Sequence, residues 1–283
     1  MILQLMKRNL KLYFRDKVSV FFSLLGVIII IGVYVMFLGK MMVDYTDDLV
    51  GTNSRYLMIS WIMAGVISVT TITTCNGAFG IMVEDIALKR MRDFKVSPIK
   101  RWQLVLSYVL SAMVVGLIMS ILTLLLSELY IYVDGGKILS FSAFTKVLGL
   151  IFISVFSSSA MIFMIMSFIK SQNAFGTASS IIGTLIGFLT GIYIPLGNLP
   201  SGVQTIIKFF PLSHSGVMLR QVMMNEALPL EYLPDEFKIF LGVNFEIGGE
   251  FISNFIHIAY IFISGVIFYL IAIIIESKKR SNL

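Results

Sequence analysis

Long stretches without a single charge alternate with short charged ones along this chain. Uncharged runs fill residues 18–39, 56–83, 102–127, 147–169 and 251–275, each bounded by Lys, Arg or Glu. A helix needs about 20 mainly apolar residues to cross a hydrocarbon layer of roughly 30 Å. The pattern therefore predicts spans at about 18–39, 57–82, 102–127, 147–169 and 251–275. A further uncharged run, 171–207, is too long for one crossing and too short for two. Pro195, Pro200 and Pro211 break its distal part, since each lacks an N–H and clashes one turn back. This predicts a span at 171–194 and then a re-entrant helical hairpin over 195–225. Its short helices fall near 201–210 and 213–225, with Ser213 capping the second. Such broken segments are tolerated at membrane depth only when enclosed by protein or facing a cavity. The expected class is an all-α integral membrane protein of six transmembrane helices.

Composition narrows the class further. With 57% hydrophobic and 13% charged residues, the chain is neither a soluble globular domain nor a disordered one. Unbroken apolar runs, rather than alternation, exclude a transmembrane β-barrel. A single cysteine, Cys75, excludes an intrachain disulfide and a cysteine-based metal site, and two histidines, His214 and His257, predict no metal cluster. The net charge of +6 is explained by topology rather than by nucleic acid. With the N-terminus inside, 15 of the 22 basic residues fall in inner segments and 11 of the 16 acids in outer ones. Both termini are thus expected to be cytoplasmic. The first uncharged run is longer than a signal-peptide core and has no small-residue cleavage pattern at Phe37-Leu38-Gly39-Lys40, so it is expected to stay as an anchor. No linker or repeat divides the chain, which reads as one domain over 1–283.

Several segments carry candidate work. Leu3, Met6, Leu10 and Tyr13 recur at helical spacing opposite Lys7, Arg8, Lys11 and Arg15, predicting an interfacial helix at the N-terminus. Between spans 2 and 3, Ala87, Met91 and Phe94 fall on one helical face, with Asp85 and Lys89 as an exposed i,i+4 pair. Ser97 and Pro98 read as the cap and first position of the next helix, with Trp102 at the interface. A short amphipathic helix clamped between two spans suits mechanical coupling to a cytosolic partner. Thr70, Thr74 and Asn76 in span 2 are candidates for a substrate path: the hydroxyls can bond back to their own helix, whereas Asn76 must bond across helices or face a wet cavity. Gly183, Gly187 and Gly191 at four-residue spacing predict a helix-packing face, a candidate subunit interface. Glu128 and His257 are the weak candidates for an ion relay. The outer segment 226–250 is acidic, with Glu226, Glu231, Asp235, Glu236, Glu246 and Glu250, and reads as a solvated loop. Neither a phosphate-binding Gly-rich loop, a Gly-x-Ser-x-Gly elbow nor a His-Glu-x-x-His helix occurs, so no catalytic residue or cofactor is expected in this chain.

Three stretches resemble one known family. These are Ala87-Leu88-Lys89-Arg90-Met91-Arg92 with Val96-Ser97-Pro98-Ile99-Lys100-Arg101-Trp102-Gln103-Leu104, then Gly191-Ile192-Tyr193-Ile194-Pro195-Leu196-Gly197-Asn198-Leu199-Pro200, and Phe210-Pro211-Leu212-Ser213-His214 through Leu219-Arg220. Together they resemble the ABC-2 type permeases of ATP-binding-cassette exporters, with Phe210 where the family commonly has Asn. The resemblance implies a half-transporter in a bacterial plasma membrane. Two cytosolic ATPase subunits, carrying ATP and Mg, would dock on a coupling segment containing Glu84, Ala87, Leu88, Arg90, Met91 and Phe94. A second permease copy or a paralogue would complete the path, and Pro195, Pro200, Pro211, His214 and Arg220 would belong to the re-entrant hairpin. The implied cargo is a hydrophobic drug, antimicrobial peptide, lipid or lipid-linked glycan. An ion-coupled carrier and a peptide-binding sensor or immunity subunit are the competing readings of the residues alone.

Overall fold

The computed structural model describes residues 1–18, 20, 21, 28, 29, 32, 51–90, 94 and 99–278. The first expected span, 18–39, lies almost wholly outside these residues, as do Met91, Ser97 and Pro98. The described helices are α1 (Ile2–Arg15), α2 (Ser54–Ala87), α3 (Arg101–Val133), α4 (Phe141–Met166), α5 (Gln172–Leu189), α6 (Ser201–Phe209), α7 (Pro211–Ala227), α8 (Asp235–Phe240) and α9 (Asn254–Lys278). Four of them, α2, α3, α4 and α9, are long and apolar enough to cross a membrane.

α2 is the axis of the fold. Its apolar and small hydroxyl residues run all round the helix, and α3, α4, α5 and α7 pack against it. A helix without a polar face has to be enclosed, and Trp61, Phe79, Met63 and Ile67 are fully buried. Gly116 of α3 permits the closest approach, since a Cβ there would sit 2.8 Å from Cys75 Sγ. α9 packs chiefly on α4 and keeps a broad apolar outer face that includes Phe255, Phe262 and Ile273.

The hairpin region follows the prolines. α6 ends at Phe209, and α7 begins with Pro211 at its first position, where a missing N–H costs nothing. Ser213 does not cap α7. It sits inside the first turn and donates to Phe210 O at 2.6 Å, because proline pre-sets the turn without a side-chain cap. A two-residue hairpin, β1 (Glu246–Ile247) with β2 (Glu250–Phe251), interrupts the outer loop. Gly248 and Gly249 both have positive φ, which that turn requires.

α1 is helical as expected, but its buried line is Leu5, Asn9 and Tyr13, and Leu3 is exposed. The helix leans on α3 instead of resting all its apolar side chains on lipid, so its inner face is turned from the predicted register. α5 stops at Leu189, short of the expected 194, and α3 starts at Arg101, where Gln103 accepts from the Lys100 N–H at 3.1 Å.

Candidate functional site

The chemistry collects at the two ends of α2. At its C-terminal end the helix stops at Ala87, and Lys89 takes a left-handed φ of 58°. The helix therefore does not continue through Lys89, and the exposed Asp85–Lys89 pair expected from spacing is not formed. Asp85 is fully buried instead. Arg8 of α1 donates to it twice, at 2.5 and 2.8 Å. The Tyr108 hydroxyl of α3 donates at 2.6 Å and Arg90 at 3.3 Å. Arg90 also bonds Glu84 at 3.0 Å, and the Arg8 guanidinium lies 5.6 Å from the centre of the Phe94 ring. A buried carboxylate is tolerable only when paired and hydrogen-bonded. Here its partners come from α1, from α3 and from the segment after α2, so one side chain ties three pieces of chain together. Of the expected coupling residues, Glu84, Arg90 and Phe94 thus belong to this cluster. Ala87 ends the helix, Leu88 is exposed, and Met91 lies outside the described residues. Asp85 and Arg8 were read as exposed and Tyr108 was missed, because the contacts that join them are long-range in sequence.

The N-terminal end of α2 holds a second knot. Arg220 of α7 is buried and donates to Thr190 O at 3.0 Å, Gly191 O at 2.9 Å and Gly242 O at 3.3 Å. Its guanidinium stacks 4.7 Å over Trp61, whose indole N–H donates to Leu241 O at 2.8 Å. The carbonyls at the C-terminus of α5 supply partial negative charge for the cation. Burial works against the charge, so the cation depends on these acceptors. Next to it, His214 Nδ1 and His257 Nδ1 are 2.7 Å apart, so one nitrogen carries the hydrogen and the other accepts it. His214 Nε2 faces Lys208 O at 2.9 Å and the ring lies against Tyr260. Burial lowers the His214 pKa. Nothing in the spacing of the two histidines pointed to this pairing. It also takes His257 away from the expected relay: the Glu128 carboxylate accepts from the Leu139 N–H at 2.8 Å, while His257 is engaged with His214 and Asn244.

The path candidates separate. Thr70 and Thr74 are buried and return their hydroxyls to Val66 O and Thr70 O within α2, so neither faces an opening. Asn76 Nδ2 donates to Ser179 Oγ of α5 at 2.9 Å. The accessible line of α2 runs instead through Thr73, Gly77 and Ile81. Within the described residues the three glycines of the stripe have different surroundings. Gly183 has nothing within 4 Å of a built Cβ among the described residues, Gly187 lies under the Tyr193 ring, and Gly191, beyond the end of α5, has a φ of 65°. Gly191 N donates to Phe188 O and Ile192 N to Gly187 O, which closes the helix rather than packing it on another.

Apolar membrane-length helices around a buried axis, a charged clasp at one end and a proline-broken hairpin at the other define an integral membrane transport protein. Residues 1–224 match the family model of the ABC-2 type transporter, and the chain belongs to that family. No curated protein matches it. As an ABC-2 membrane domain it is a permease component of an ATP-binding-cassette transporter and not the ATPase, and its family membership implies a cassette ATPase as partner.

Proposed function

We propose that this chain is the permease half of an exporter moving a hydrophobic or amphiphilic substrate, driven by ATP and Mg bound on two separate ATPase subunits. The observation that carries the reading is the Asp85 cluster. It binds the interfacial helix, the end of α2, Arg90 just beyond it and α3 at one membrane face, so that force applied after α2 reaches α1 and α3 together. In this reading six spans cross a bacterial plasma membrane with both termini cytoplasmic, and the hairpin of 195–225 closes the outer end. Asn76, Thr73 and the exposed face of α5, with Ile181 and Leu185, meet the path or a second permease copy. Nucleotide on the partner acts by stabilising one of two conformations of the permease differentially.

The test is a Met91→Ala/Phe94→Ala double variant, co-expressed with the ATPase. Loss of co-purifying ATPase with intact membrane insertion is expected. A bound ATPase turning over at the normal rate in that variant overturns the docking assignment.

A further inference from the structure

The described residues form a half-open cleft of about 970 Å³ between α3, α4 and α9, away from the helix faces assigned above to the path. Its size is at the upper end of the range for pockets that hold a discrete ligand. The walls are apolar side chains of α3, including Val105, Val109 and Met113. The floor is aromatic: Phe156 and Phe163 each pack against Tyr269, whose hydroxyl is fixed at 2.6 Å from Ser159. The polar groups gather at one end only, where α3 begins and α9 finishes. Lys100 and Arg101 stand there with Glu276, and Arg101 donates to Glu276 at 2.7 Å. Trp102, 57% exposed, marks that end as the membrane interface.

We infer that this cleft is a binding site for a single anionic phospholipid, its acyl chains in the aromatic-floored slot and its phosphodiester at Lys100 and Arg101. The exposed apolar residues Phe255 and Phe262 of α9 lie outside this cleft and suit ordinary solvating lipid. A slot closed by aromatic rings selects chain volume, and a basic lip between helices selects a phosphate headgroup. Among the described lining residues, Glu276 holds the Arg101 guanidinium in place and the two basic groups outnumber the one acid, which favours an anionic headgroup such as that of phosphatidylglycerol over the zwitterionic phosphatidylethanolamine. The leaflet is the one that bathes the Asp85 cluster, the cytoplasmic leaflet in the orientation proposed above. The site itself does not depend on the direction or cargo of transport.

The experiment uses the full chain in nanodiscs of phosphatidylethanolamine and phosphatidylglycerol, with a trace of phosphatidylglycerol carrying a photoactivatable diazirine on one acyl chain. Labelled peptides are expected to concentrate at 102–113 and 269–273, and unlabelled phosphatidylglycerol should compete at least fivefold better than phosphatidylethanolamine. Lys100→Gln/Arg101→Gln should lower labelling by at least fivefold, since each basic group near a membrane surface is worth roughly fivefold in anionic-lipid affinity. Val105→Trp, which fills the slot and leaves the charges alone, should lower it as well. Labelling spread evenly over Phe255, Phe262 and the other outward residues of α9, equal competition by the two lipids, or wild-type labelling in the charge variant would each overturn the site. The map and the competition need no variant, so a misfolded mutant does not blunt the test.

Discussion

The Arg8 guanidinium grips the Asp85 carboxylate with two nitrogens, at 2.5 and 2.8 Å, across 77 residues of sequence. Paired donors on one carboxylate fix direction as well as distance, so α1 cannot rotate without dragging the end of α2. Arg8→Ala leaves Asp85 buried with Tyr108 and Arg90 as donors. Because Arg8 is itself partly exposed and two donors remain, the expected loss is about 1–3 kcal/mol, read as a lower thermal unfolding midpoint in detergent. ATPase stimulation by substrate should fall with it. A double-mutant cycle with Asp85→Ala should return a coupling energy of at least about 0.5 kcal/mol; additivity would show that the pair does not act as one.

Arg220 should not accept lysine. A single ammonium cannot reach carbonyls of Thr190, Gly191 and Gly242 while stacking on Trp61. Arg220→Lys is expected to cost about 2 kcal/mol or more, as a buried network is left with acceptors unpaired. Faster proteolysis of the outer loop near Leu241 and a red-shifted Trp61 emission would report it. A wild-type proteolysis rate would remove the knot from the account.

The outer knot should weaken in acid. Burial holds the His214 pKa below its ordinary value of about 6.5, so the unfolded chain binds more protons than the folded one in the acidic range. Its contribution is fully present above about pH 6.5 and lost as the pH falls below it. Protonating both rings removes the acceptor from the Nδ1 contact and sets two like charges side by side. The hairpin of the wild type should become protease-sensitive between pH 7 and 5. In His214→Phe that slope should shrink, since one of the two rings is gone; an equal slope in both proteins would show that another group is responsible.

The three glycines of the 183–191 stripe should respond differently to alanine. Gly183→Ala meets open space among the described residues and should leave monomer stability unchanged within about 0.5 kcal/mol. Gly187→Ala pushes away the Tyr193 ring and with it the edge contact to Phe188, at a cost of about 1 kcal/mol. Gly191→Ala places a Cβ at a φ of 65° and should cost about 1–2 kcal/mol. Thermal shifts of the three variants decide this, and equal losses would restore a common packing face.

Local rules carried the helices and failed at the contacts. Long uncharged runs marked α2, α3, α4 and α9, and proline placed the break between α6 and α7, because each is decided by a few neighbouring residues. Asp85 was assigned to Lys89 because spacing assumes that a helix continues, and only the left-handed turn at Lys89 ends it. Its closest partners, Arg8 and Tyr108, lie on other helices. The same holds for His214 and His257, 43 residues apart, and for the buried line Leu5, Asn9 and Tyr13 of α1, which includes an asparagine that hydrophobic periodicity passes over. The family-like stretches did mark the hairpin and Arg220, but not that the guanidinium would be held by carbonyls and an indole.

Asp85 and Trp61 lie on one continuous helix, about 36 Å apart along its axis at 1.5 Å per residue. A clasp sits towards either end, and the close contact of Cys75 with Gly116 falls between them. Such a rod behaves as a seesaw: pressing its lower tip sideways swings the upper one the opposite way, so Trp61 would be levered against Arg220 with no relay of side chains in between.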